Sequence, residues 1–187
     1  MTNSKIILGL IGEIAAGKTL VTAYLKERYG AESARFSDSL RDILKRMYLD
    51  ETRHNLQILS LALRDTFGQD IISKIIYNDV KDKKNDIIIV EGMRRFGDMA
   101  CFLEDKTFKV VYIKADEKIR YQRLTQRSEN KDDQNKTWEN FQKESNSESE
   151  LEIKEIAKRA DFIIDNSGTI QNLQSQIDKM LKEINES

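Results

Sequence analysis

Eight residues near the N-terminus, Gly12-Glu13-Ile14-Ala15-Ala16-Gly17-Lys18-Thr19, have the types and spacing that wrap a backbone around phosphate. They match G-x-x-x-x-G-K-[ST], in which glycines let the main chain approach an anion and the N–H groups of loop and helix start converge on it. In such a loop Lys18 reaches the β- and γ-phosphates of a nucleotide and the Thr19 hydroxyl ligates Mg²⁺. Glu13 is out of keeping with this chemistry. A carboxylate beside a phosphate cradle weakens binding unless it points away or meets a cation.

Phosphoryl transfer is largely positioning and charge stabilisation, so arginines are the next residues to place. Arg94 and Arg95 follow Gly92 directly after an apolar run, and Arg41 lies three residues past Asp38. Arg120, Arg123 and Arg127 are spaced to share one helix face. Glu91 closes an apolar run, where a carboxylate acts as a water-mediated Mg²⁺ anchor or as a satisfied acid at the core edge. Beside the phosphate loop, the metal role is the favoured one.

These groups need a scaffold that brings strand ends together. Residues 5–11, 86–92 and 108–113 are apolar runs expected of strands buried on both faces, with shorter strands expected over 33–36 and 161–165. Helical periodicity predicts helices over 18–29, from Ser37 or Asp38 to Met47, over 52–67 and 71–80, from Asp116 through Arg127, and from Gly168–Thr169 to the C-terminus. Residues 128–150 read as a polar excursion from the core. Alternating strands and helices imply an α/β fold with a mainly parallel sheet, and ligands then bind at the carboxyl ends of its strands. The phosphate loop, Glu91, Arg94 and Arg95 fall at such ends.

Composition narrows the class further. At 187 residues the chain is the length of one ordinary domain, and the absence of proline excludes proline-rich ligand motifs and cis-proline hinges. A net charge of −1 argues against a nucleic-acid-coating protein. The single cysteine, Cys101, excludes an internal disulfide and a Cys-rich zinc site, which fits a reducing cytoplasm. The apolar run at Ile6–Ile14 is too short to span a bilayer and lacks the flanks of a signal peptide. His54, Cys101 and Trp138 are read as surface or packing residues, and Lys143–Lys158 as a solvated helix face.

Together these segments resemble the nucleoside monophosphate kinase group of P-loop phosphotransferases, nearest the archaeal adenylate-kinase-related, dephospho-CoA-kinase-like branch. Phe36-Ser37-Asp38-Ser39-Leu40-Arg41 resembles the opening of the acceptor-binding helices, and Val90-Glu91-Gly92-Met93-Arg94 resembles V-D-G-x-R with Glu for Asp. Arg120 to Arg127, then Asp132-Asp133, Trp138, Glu139 and Phe141, resemble a lid approach and the helix after it. Residues 160–169 are similar to the final strand and turn near an adenine pocket, which assigns Gly168 to the nucleotide. The resemblance covers nearly the whole chain. It implies a single three-layer α/β/α domain over 1–187, with a five-stranded parallel sheet in order 2-3-1-4-5, an acceptor-binding part near 38–80 and a lid near 127–145.

The expected activity is ATP- and Mg²⁺-dependent transfer of the γ-phosphoryl group to a small phosphate-bearing acceptor, foremost a nucleoside or deoxynucleoside monophosphate. In that reading Lys18, Arg123 and Arg127 stabilise the moving group, with Arg94 beside them. Asp38, Arg41, Arg64, Gly92 and Arg94 hold the acceptor. The phosphate loop, Arg123 and Gly168 hold the nucleotide, and Thr19 with Glu91 holds the metal. The expected partners are small nucleotides, with no nucleic acid or membrane, and the protein is a cytoplasmic monomer or homodimer. Two rivals stand beside it: a dephospho-CoA kinase, for which Asp38 is the available base, and an ATP-binding switch module with no acceptor.

Overall fold

A computed structural model describes residues 5–126 and 136–186. The phosphate-loop segment joins β1 (Ile6–Ile11) to α1 (Lys18–Tyr29). There follow β2 (Glu32–Arg35), α2 (Phe36–Arg46), α3 (Arg53–Phe67), α4 (Ile71–Lys81) and β3 (Ile87–Glu91). The second half runs through α5 (Phe96–Met99), β4 (Phe108–Lys114), α6 (Glu117–Gln126), α7 (Trp138–Ser145), α8 (Glu148–Ala157), β5 (Phe162–Asp165) and α9 (Ile170–Glu186). All four strand pairings are parallel and the order is β2-β3-β1-β4-β5, as the family resemblance implies.

The central strand explains the layering. Side chains alternate along β1, so Ile6, Leu8 and Leu10 enter one core and Ile7 and Ile11 the other. On the first face they meet Val21 and Leu25 of α1 and Leu173, Ile177, Met180 and Leu181 of α9. On the second they meet Phe36 and Leu40 of α2 and Ile72, Ile76 and Val80 of α4. Both faces are covered, which is why β1 and β3 read as unbroken apolar runs. Parallel pairing then sends Ile11, Arg35, Glu91, Lys114 and Asp165 to one edge of the sheet.

Three details differ from the sequence reading. Phe36 does not extend β2 but starts α2, burying its ring under the sheet, so Ser37 and Asp38 lie inside the first turn rather than before it. Residues 96–99 form a short helix that no periodicity announced. The polar excursion is partly core: α7 and α8 bury Phe141, Ile153 and Ile156, and two helices meeting at Asn146–Ser147 replace one solvated face.

Candidate functional site

The loop over residues 12–17 closes where β1 ends. Gly17 caps α1 in the left-handed region at φ +98°, and a Cβ there would collide with the amide of Asn166. Ala15, where a glycine is common, takes φ +58° and carries the local strain. Lys18 lies across its own loop, its Nζ donating to the carbonyl oxygens of Gly12 (2.5 Å) and Glu13 (3.1 Å). Thr19 stands exposed in the first turn of α1.

Glu13 is turned out of the cradle. Its carboxylate is buried, accepts the Tyr112 hydroxyl at 2.7 Å and lies 3.9 Å from the guanidinium of Arg120. Burial above all, then the bond to Glu13, raises the Tyr112 hydroxyl's pKa well above the usual tyrosine range. Arg120 also donates to the carbonyl of Ile14 (3.3 Å) and sits 5.4 Å over the Phe141 ring. The repulsion expected of Glu13 is thus met by a cation and a hydroxyl, and the same residues fix the loop to β4, α6 and α7.

A second frame holds the loop from β5. Asn166, buried at the strand's end, donates its amide to the carbonyl of Ala16 (2.9 Å), and its own carbonyl accepts Arg123 Nη2 (2.9 Å). Arg123 Nη1 is buried without a hydrogen-bond partner among the described residues, 3.7 Å from where a Cβ on Gly17 would stand. A buried, unsatisfied guanidinium N–H at a helix N-terminus is a donor set suited to an anion. Gly168 lies exposed in the turn that follows, before α9.

Across the cleft, Gly92 leaves β3 at φ +92°, a left-handed conformation that favours glycine, with Phe36 at ordinary contact distance. The backbone N–H groups of Arg94 (2.8 Å) and Arg95 (3.0 Å) both donate to Asp98, which leaves the Arg94 side chain exposed at the mouth of the cleft. Arg64 does not open onto the cleft. It is buried, donates to Asp98 (2.6 Å), to the carbonyl of Gln69 (2.5 Å) and to Ser60 (3.3 Å), and reaches the Arg94 loop only through Asp98. Arg41 is held within its own helix by Ser37 (2.7 Å) and Asp38 (3.0 Å), and Glu51 stands 3.6 Å away. Arg127, and with it Lys131 and the Asp132-Asp133 pair, lies outside the described residues.

Glu91 accepts the Thr22 hydroxyl (2.6 Å) on one oxygen and Arg35 Nε (3.0 Å) on the other. A carboxylate has about four acceptor positions, so both oxygens retain capacity for a metal-bound water. No cluster of three His, Cys, Asp or Glu side chains exists among the described residues. The Thr19 hydroxyl and Glu91 are the oxygen donors here that could face a hard cation such as Mg²⁺ whose other ligands were phosphate and water.

Asn166, Tyr112, Thr22 and Glu150 are side chains bonded to the phosphate loop, Glu13 or Glu91 that sequence reasoning did not promote. Asn166 carried a signal, since it directly follows the expected strand 161–165 at its carboxyl end. Glu150, inside a charged stretch, carried none.

A family model described as an AAA domain matches residues 11–142. The chain belongs to this family. Among its relatives, the UPF0200 protein MJ1399 of Methanocaldococcus jannaschii is 29% identical over 184 residues, covering 96% of this chain and 90% of its own. The UPF0200 protein PF1294 of Pyrococcus furiosus is 28% identical, covering 95% of this chain and 97% of its own. Among solved structures, the dephospho-CoA kinase of Campylobacter jejuni superposes with a TM-score of 0.57 at 19% identity, covering 98% of this chain and 99% of its own. A shikimate kinase of Aquifex aeolicus gives 0.56 at 16% identity, covering 95% and 96%. At these identities the structures establish the fold, which is P-loop kinase-like, as the family resemblance implies. No described helix is long and apolar enough to cross a membrane.

Proposed function

We propose that the protein is an ATP- and Mg²⁺-dependent phosphotransferase whose acceptor is a small molecule bearing its own phosphate, foremost a nucleoside or deoxynucleoside monophosphate. The observation that carries this reading is a cleft with cations on both walls, Lys18 on the phosphate-loop side and Arg94 on the other, with Arg123 beside Gly17 of the loop. Backbone N–H groups of residues 13–19 bind the donor phosphates, and Lys18, Arg123 and Arg127 balance charge on the moving phosphoryl group. Thr19, and Glu91 through water, hold Mg²⁺, which when bound neutralises charge on the phosphate oxygens. Arg94 and Arg41 hold the acceptor phosphate, while Arg64, acting through Asp98, fixes the backbone that carries Arg94.

Asp38 favours a second reading. It is exposed, next to Arg41, and is the carboxylate available as base for a hydroxyl acceptor, the chemistry of a dephospho-CoA kinase. ADP release from Mg–ATP, measured against ribo- and deoxynucleoside monophosphates and dephospho-CoA, decides between them. The first reading expects stimulation by one or more monophosphates, the second by dephospho-CoA. Stimulation by none would leave an ATP-binding switch.

A further inference from the structure

One segment bridges both walls of the cleft. Glu150 and Glu152 stand two residues apart in α8 and each takes a backbone N–H from a different wall. Ile14 in the phosphate loop donates to Glu150 at 3.0 Å, and Phe96, just past Arg94–Arg95, donates to Glu152 at 3.0 Å. The Glu150 side chain crosses 136 residues of sequence to make this bond and is 4% exposed. Arg159, after α8, lies 5.3 Å over the Phe96 ring and secures the second wall.

Glu150 also lines the cavity between the walls, with Gly12, Ile14 and Lys18 on one side and Gly92, Met93 and Arg94 on the other. That cavity has ≈ 40 Å³, room for about three or four waters at roughly 10–15 Å³ each. A carboxylate accepting a phosphate-loop N–H is an anion occupying an anion's place. Two like charges brought together in so small a space repel, so the carboxylate and a terminal phosphate oppose one another.

We propose that Glu150 is a specificity-determining residue of the phosphate loop, a resident anion that opposes the terminal phosphate of a triphosphate and leaves a diphosphate largely unaffected. The reasoning is positional. Lys18, Arg94 and Glu150 line one cavity, so a phosphoryl group passing from the first wall to the second meets Glu150, and a diphosphate lacks that group. Triphosphate binding then includes withdrawal of Glu150 from Ile14, and with it movement of α8, the segment that also holds the acceptor wall. A site charged this way resists filling by ATP alone and favours filling when an arriving acceptor helps move α8.

The inference rests on the nucleotide reading above, and one experiment separates their failures. Binding of Mg–ADP and of the β,γ-imido analogue of Mg–ATP is measured by calorimetry on the full chain without acceptor, for wild type, Glu150→Gln and Glu152→Gln. In the wild type the diphosphate should bind at least as tightly as the triphosphate. Glu150→Gln, which keeps a hydrogen-bond acceptor and removes the charge, should tighten the triphosphate about tenfold or more and the diphosphate less than about threefold. Glu152→Gln should leave the ratio of the two unchanged. Equal tightening of both nucleotides, no change, or a weaker triphosphate in Glu150→Gln overturns the proposal. If Glu150→Gln does not fold, a wild type that binds the triphosphate tenfold tighter than the diphosphate overturns it instead. A wild type that binds neither overturns the nucleotide reading and this inference together.

Discussion

The two walls of the cleft are built by different means. The phosphate-loop wall is held from a distance: Tyr112 and Arg120 on Glu13, Asn166 on Ala16 and Glu150 on Ile14 come from three later parts of the chain. On the other wall, the Arg94 loop is also tied at long range, through Asp98 to Arg64 and through Phe96 to Glu152. The polar bonds of α2 and of the start of α3, however, run to near neighbours, with Arg41 on Ser37 and Asp38, and Asn55 on Thr52 and Asp50. The only buried side chain of α3 is Arg64, and Met47, Tyr48, Leu49, Ile58, Leu61 and Phe67 are exposed along α2, α3 and their connection. Long-range buried polar contacts fix a loop in one geometry, as a phosphate site requires. Helices held locally sit at the low end of regional stability, where binding motions are drawn from. In the proposed function, the donor-binding groups lie on the phosphate-loop wall, and Arg41, proposed for the acceptor, lies on a helix whose polar bonds are local.

The sharpest break in this comparison comes from Lys18→Ala. Removing the charge that follows the phosphoryl group should lower turnover roughly 10²–10³-fold or more with the melting temperature kept, and a variant with full turnover contradicts the site. Next is a pair of equal substitutions on unequal walls. Leu25→Ala, in the core shared by α1, α9 and the sheet, should cost about 2–5 kcal/mol of folding stability in denaturant titration. Leu61→Ala, half exposed on α3, should cost about 0.5 kcal/mol or less. Similar losses at both positions would dissolve the contrast.

Tyr112→Phe sharpens it on the polar side. Glu13 loses a hydroxyl donor, and the buried carboxylate left short should cost about 1–3 kcal/mol. The sign of the accompanying pH effect follows from burial. Folding raises the Tyr112 pKa, and pushes that of Tyr29 up to about 12 through burial and its bond to Asp178. Unfolded tyrosines ionise near pH 10, roughly, so this contribution is complete below that pH and is lost as the solution grows more alkaline. Stability followed by circular dichroism from pH 9 to 12 should fall above about 10, less steeply in Tyr112→Phe.

How much of this the sequence displays follows the same division. Strands buried on both faces show as unbroken apolar runs because every side chain in them needs a core, and the phosphate loop shows because its geometry demands glycines at fixed spacing. The β-α order then implies the parallel sheet, with Arg94 and Glu91 at strand ends. What stays hidden depends on partners far away in sequence. Glu13 reads as a misplaced charge until Tyr112 and Arg120 are beside it. Arg64 reads as an acceptor ligand until Asp98 is found to claim it. Residues 128–150 read as solvated because charges dominate, yet Phe141 is fully buried among Arg120, Tyr121 and Trp138. Glu150 cannot be told from other glutamates of that stretch by spacing or composition.

The central claim is that two walls do two jobs, donor binding on one and acceptor binding on the other, and Arg94→Ala tests it most directly. For the acceptor that stimulates ADP release, KM should rise roughly ten- to a hundredfold, the scale of one charge-assisted arginine–phosphate contact. Affinity for Mg–ATP, measured separately by calorimetry, should change less than about threefold. An unchanged acceptor KM, or a loss of ATP affinity as large as that for the acceptor, would contradict the account.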